Sequence, residues 1–184
     1  MKNLSAVQVV NSLLSLSEAY NVPITNLSLQ KLLFFIQGFH YLNYDKLLFE
    51  EEIEAWNFGP VIPEIYHQFK KFGKNPITEE RACYFEPSMN EASFPEIKES
   101  LYPEAFKMTN DTFALLAGKD PFKLVWYIHL ENSPWTALVK TDKKGIYKIE
   151  PHLKIEIQEK DKEYFKSVYD EVKAEYDEWE SKQI

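Results

Sequence analysis

Apolar residues recur at three-and-four spacing through six stretches of the chain, and each stretch predicts a helix. The first runs from Ser5 to Ala19, with Val7, Val10, Leu13 and Leu14 on one stripe. Tyr20 to Pro23 closes it, because the residue before a proline resists the helical region. The second runs from Leu27 to Leu42 behind a cap at Thr25 or Asn26. Leu29, Leu32, Leu33, Ile36 and His40 share one side of it, and Phe34, Phe35 and Phe39 widen the apolar surface. A helix apolar on so many sides is a central one. Val61 to Phe72 predicts a third, with Ile62, Ile65, Tyr66 and Phe69 on one face. Pro60 or Pro63 is tolerated at its start, and Gly73 supplies its stop. Helices near Ala105 to Gly118 and Phe122 to Leu130 follow. The last, Asp161 to Glu180, aligns Phe165, Val168, Val172, Tyr176 and Trp179 and is charged on its other faces. That stripe suits a core or a partner helix, and packing into the core is the commoner use.

Between these helices the pattern changes. Leu47 to Trp56 does not alternate cleanly and reads as a short edge strand or an irregular arm, ended by the Gly59-Pro60 break, with Trp56 expected to be mostly buried in the core. Lys143-Lys144-Gly145 marks a tight turn, and Ile146 to Ile157 alternates enough to predict a strand. Residues 74 to 104 are irregular, interrupted by Pro76, Pro87, Pro95 and Pro103. A loop of that length needs a reason to exist, and recognition is one. The expected fold is mainly α with a small β component. It is a compact helical domain around a central apolar helix, with a short strand or hairpin and an irregular proline-containing insertion. At 184 residues the chain is expected to form one domain over 1–184.

Composition narrows the function. The net charge is −8 and Arg81 is the only arginine, so phosphate contacts and bidentate reading of guanine have little to work with. No direct nucleic-acid partner is expected. An acidic surface suits a basic protein partner instead. Cys83 is the only cysteine, which rules out an intrachain disulfide and is compatible with the cytoplasm. The N-terminus lacks a signal-peptide core, and no apolar run is long enough for a bilayer, so no membrane partner is expected.

Candidate chemistry is thin. His40, His67, His129 and His152 are widely separated and no metal motif occurs. No nucleophile elbow, P-loop or dinucleotide fingerprint is present. Catalytic, metal and cofactor residues are therefore expected to be none. Glu50, Glu51, Glu52 and Glu54 form a run that usually lies on a solvated face. A small hydrolase using Glu51, Glu54, His129 or Glu131 is the alternative from another class. His129, Glu131, Pro134 and Trp135 make the most suggestive polar group. The bland role for it is a hydrogen-bonded corner, with Glu131 or a backbone carbonyl holding His129.

Three segments carry a resemblance. Ile24 to Gln37, written ITNLSLQKLLFFIQ, resembles the signature helix of the Panacea domain family, with Asn26, Leu29, Gln30, Lys31, Leu32, Leu33 and Gln37 at its signature positions. Phe49 to Pro63 resembles the family's segment carrying Glu54, Trp56, Gly59, Pro60 and Pro63. His129 to Trp135 resembles its H-x-E-x-x-P-W corner. The family includes GepA-like phage-associated proteins, SocA-like proteolysis adaptors and Panacea antitoxins. The resemblance implies protein binding: an antitoxin that neutralises a cognate toxin by direct complex formation. Its alternative is an adaptor that delivers a client to an ATP-dependent protease. Some members add a DNA-binding domain, and no stretch before residue 5 is expected to hold one. The partner surface is expected on 74–104 and the C-terminal helix at 161–180, through Tyr84, Phe85, Met89, Phe94, Tyr169, Tyr176 and Trp179. Rings of this kind supply most of the energy in protein interfaces.

Overall fold

The computed structural model describes residues 4–83, 94–144 and 146–183. Helix α2, Asn26–Tyr44, forms its centre. Thr25 caps it: the Ser28 amide donates to Thr25 Oγ1 at 3.2 Å, and the Thr25 amide donates to Ser28 Oγ at 2.9 Å. From Ser28 to His40 every residue is buried. Around it pack α1 (Ala6–Tyr20), α3 (Pro63–Phe69), α4 (Pro103–Leu116), α5 (Pro121–Ile128) and α6 (Lys162–Ser181). A buried leucine contributes roughly 1.5–3 kcal/mol, so a helix buried all round organises its neighbours. At Gly38 the α6 ring of Phe165 comes so close that a Cβ would lie 2.0 Å from it. Glycine there sets how near α6 can approach.

Among the described residues the β component is two antiparallel hairpins. Strands β1 (Glu54–Trp56) and β2 (Gly59–Val61) pair Glu54 with Val61 and Trp56 with Gly59. Strands β3 (Lys140–Thr141) and β4 (Tyr147–Lys148) form the second. Gly59 has φ +99, a conformation that residues with a Cβ rarely adopt.

Three expectations are corrected. The third helix starts at Pro63, not Val61: the residue before a proline is pushed to extended backbone, and Ile62 sits at φ −93, ψ 105. Ile146 to Ile157 is mostly irregular, since Pro151 has no N–H to give a ladder and His152 takes a left-handed φ of +58. Besides β4 it keeps a bridge to β1, with the Ala55 amide on the Leu153 carbonyl and the Ile155 amide on the Ile53 carbonyl, both at 2.7 Å. Trp56, expected in the core, is half-buried. The described parts of the 74–104 insertion are irregular up to Pro103, as expected, and are strapped to α1. Asn11 takes the Ala82 amide at 2.8 Å and gives to the carbonyls of Ala82 and Pro95 at 3.0 Å. The Ile97 amide donates to Ser12 Oγ at 2.9 Å.

Candidate functional site

The three segments singled out in the sequence meet on one short piece of backbone. Gln30 Oε1 accepts from the Ile62 amide at 2.9 Å. Lys31 Nζ donates to the Pro60 carbonyl at 2.9 Å. Trp135 Nε1 donates to the Trp56 carbonyl at 3.0 Å. The first hairpin is thus held from below by α2 and from the side by the corner after α5. Asn26 supports the arrangement by accepting from Gln30 Nε2 at 3.2 Å and donating to the Tyr66 carbonyl at 3.1 Å. Two turns further on, Gln37 Oε1 takes the Leu48 amide at 2.7 Å and its Nε2 gives to the Phe49 carbonyl at 2.8 Å. Buried polar groups pay for their desolvation only when paired, and both glutamines are.

Lys31 is the exception. Its side chain is fully buried, and among the described residues Pro60 supplies its one hydrogen-bond acceptor. An ammonium has three donors. Burial pushes its pKa down to about 7. The amine lies under Gly59, where a Cβ would come within 3.2 Å of it and 3.1 Å of Ile128. Glycine at 59 is favoured by its backbone, and a Cβ there would crowd the lysine and Ile128.

Beside this lysine opens a cleft of about 700 Å³. Its walls are the β1–β2 hairpin, the first turns of α2, Tyr66 of α3 and the 149–152 stretch. The indole of Trp56 packs edge-on against Tyr66 at 4.9 Å. Glu54 lines the cleft already engaged, accepting from Trp56 Nε1 at 2.9 Å and lying 3.0 Å from His152 Nδ1. Those two contacts, Trp56 first, hold its carboxyl below the usual range. Phe58, at the hairpin tip, lines the same cleft and is 61% exposed.

At the corner, His129 caps the end of α5, with its Nδ1 at 2.7 Å from the Val125 carbonyl. Its ring lies 4.1 Å from that of the fully buried Trp135 and 5.3 Å from Tyr147. Pro134 is buried beside it, while Glu131 is exposed, so a backbone carbonyl holds the histidine. Residues of the hydrolase alternative have different partners: Glu51 accepts from the Ala6 amide at 2.9 Å, Glu54 serves Trp56 and His152, and His129 serves Val125. Among the described residues no group of three or more His, Cys, Asp or Glu could hold a metal ion. No helix among them is long and apolar enough to cross a membrane.

The expected partner-facing rings divide. Tyr84, Phe85 and Met89 lie outside the described residues. Phe94 is exposed. Tyr169 is half-buried, its ring 5.1 Å from Phe39 in the core. Tyr176 and Trp179 line a groove of about 940 Å³ between the ends of α1, α4 and α6. Tyr20, 67% exposed, joins them there, although the sequence pattern marks it only as a helix end. The role of Lys31 was also missed. Its signal was a lysine set between buried residues on a helix apolar all round.

The family described as Antitoxin SocA-like, Panacea domain matches residues 29–184. Antitoxin SocA of Caulobacter vibrioides (strain NA1000 / CB15N) is 40% identical over 76 residues, 41% of this chain. The chain spans 40% of that relative's length. No solved structure matches. With the family match running from the second turn of α2 to the last residue, the chain belongs to the SocA-like Panacea domain family.

Proposed function

We propose that the protein is an antitoxin-like binder that neutralises a cognate toxin by direct complex formation. Family membership over residues 29–184 carries this reading. The groove at the ends of α1, α4 and α6 supports it. Trp179 is 57% exposed and Tyr20 67%, and both project beside the half-buried Tyr176. Large rings that face water and can be desolvated by a partner are the usual anchors of an interface. An acidic chain of net −8 also complements a basic toxin surface.

Co-purification with the product of the adjacent gene, then assay of that product without any protease, tests the proposal. A stable complex with the toxin inactive is expected, and Trp179→Ala should weaken it at least about tenfold. No complex overturns the reading. A complex in which the toxin stays active, but is degraded faster with an ATP-dependent protease, replaces it with the adaptor.

A further inference from the structure

We infer that the groove at the ends of α1, α4 and α6 takes an amphipathic helix of the partner, apolar on one face and flanked there by lysine or arginine. The inference rests on the protein-binding reading and names the segment that fills its groove. Its basis is where α6 stops being covered. The stripe Phe165, Val168, Val172, Tyr176 and Trp179 keeps three-and-four spacing to the end of the helix, yet Val172 is its last buried residue. From Lys173 to Ser181 only Tyr176 is half-buried, and every other residue is exposed. About two and a half turns, roughly 13 Å, thus carry an apolar face past the protein's own core. Packing of such a face is what usually secures a helix, and this length of it has no cover among the described residues.

The opposite wall is apolar too. Tyr20 of α1 lies 6.0 Å from Phe113 of α4, ring to ring, and Tyr176 lies 5.8 Å from Trp179 on α6, all four lining the groove. The walls are mainly helix, whose backbone groups bond within each helix, so an added strand finds no edge to pair with. A helix satisfies its own backbone and buries only side chains. Its anchors at three-and-four spacing match the stripe that continues along α6. Charge selects its flanks. The last turns of α6 carry Glu175, Asp177, Glu178 and Glu180 against Lys173 and Lys182. Both lysines are already matched, Lys173 with Asp177 and Lys182 with Glu178, and Lys119 on the groove wall is matched with Glu175. The excess is therefore acidic, which a basic flank complements. A second copy of this chain would instead bring acid against acid.

The test uses the full chain and three probe peptides of about four helical turns. The first sets leucines at three-and-four spacing between lysines on an alanine background. The second reorders the same residues so that the leucines spread around the helix. The third replaces each lysine by glutamate. Binding is followed by the NMR shift of the Trp179 indole and by the helicity that the peptide gains. The first peptide should saturate the Trp179 signal and become helical, with the other two at least about tenfold weaker. Tyr20→Ala/Trp179→Ala, at two exposed rings, should lose most of the gain in helicity. Glu178→Lys/Glu180→Lys should weaken the first peptide several-fold and strengthen the third. No saturable shift at Trp179, or equal binding of the reordered peptide, overturns the inference. Equal binding of the glutamate peptide overturns the basic flank. Dimerisation of the protein alone that buries Trp179 gives the face to a second copy and overturns the inference as well. A neutralised toxin complex formed by a chain that binds none of the peptides counts against this inference alone. Peptide binding without any toxin complex counts against the proposed function alone.

Discussion

The two longest helices, α2 with 19 residues and α6 with 20, use their polar side chains in opposite ways. On α2 they point inward. Gln30, Lys31 and Gln37 reach loop and hairpin backbone that no strand ladder satisfies. On α6 they point outward and pair along the helix itself, Lys166 with Asp170 and Lys173 with Asp177. The first kind of contact fixes where other segments go. The second decorates a helix whose place is set by one stripe, Phe165, Val168 and Val172. A substitution on α2 should therefore disturb the whole molecule, and one on the outer face of α6 should disturb little.

The largest expected effect is Leu33→Ala on α2. Leu33 is fully buried, and truncation there should cost about 2–5 kcal/mol in chemical unfolding. A loss below about 0.5 kcal/mol would remove α2 from the centre of the fold.

Next is the pH dependence set by Lys31. Its folded pKa is about 7 and its ordinary value 10.5. Between those values the unfolded chain holds a proton that the folded chain has shed, so stability rises with pH. Below about pH 7 both states are protonated and the full penalty remains. From pH 7 to 9.5 the gain should reach at most about 3 kcal/mol. Above pH 10 Tyr127 and Tyr164, whose pKa values burial raises, oppose it as the unfolded tyrosines ionise first. Urea midpoints across pH 6.5–9.5 measure the slope, and Lys31→Met should flatten it. A wild-type slope that survives in the variant would assign it to other groups.

Gly38→Ala tests the seam between the two helices. A Cβ at 38 would collide with Phe165 at 2.0 Å, so α6 must shift outward. Overpacking of this kind should cost about 1–3 kcal/mol. Faster hydrogen exchange in α6 than in α2 should accompany it. Equal loosening of both helices would mean that α6 is as deeply committed to the core as α2.

Particular residues show what was legible beforehand. The run from Leu27 to Leu42 marked the central helix because its apolar residues cover every side, a pattern only burial explains. The His129–Trp135 corner was legible as a corner, since a proline after a helix end leaves few conformations. Trp56 was misjudged because a ring's size predicts burial on average, while its place at the end of β1, beside an open cleft, leaves one side uncovered. That Gln30, Lys31 and Trp135 share one hairpin backbone could not be read at all. Their spacings of 32, 29 and 79 residues to their acceptors and donors are set by tertiary packing, which periodicity does not encode.

The smallest expected effect is Lys173→Ala on the outer face of α6. Lys173 pairs with Asp177 four residues on, and both side chains are about half exposed. Water already solvates such charges, and holding two long side chains together costs entropy, so exposed pairs of this spacing contribute only about 0.3–0.5 kcal/mol. Alanine is also a better helix former than lysine and offsets part of that loss. The urea midpoint should therefore move by less than about 0.5 kcal/mol, and 0.5 M salt should reduce the difference further. A loss above about 1 kcal/mol, insensitive to salt, would break the comparison between the helices. It would mean that the charges of α6 secure tertiary structure as the buried polar groups of α2 do, and that the C-terminal helix is held by more than its single apolar stripe.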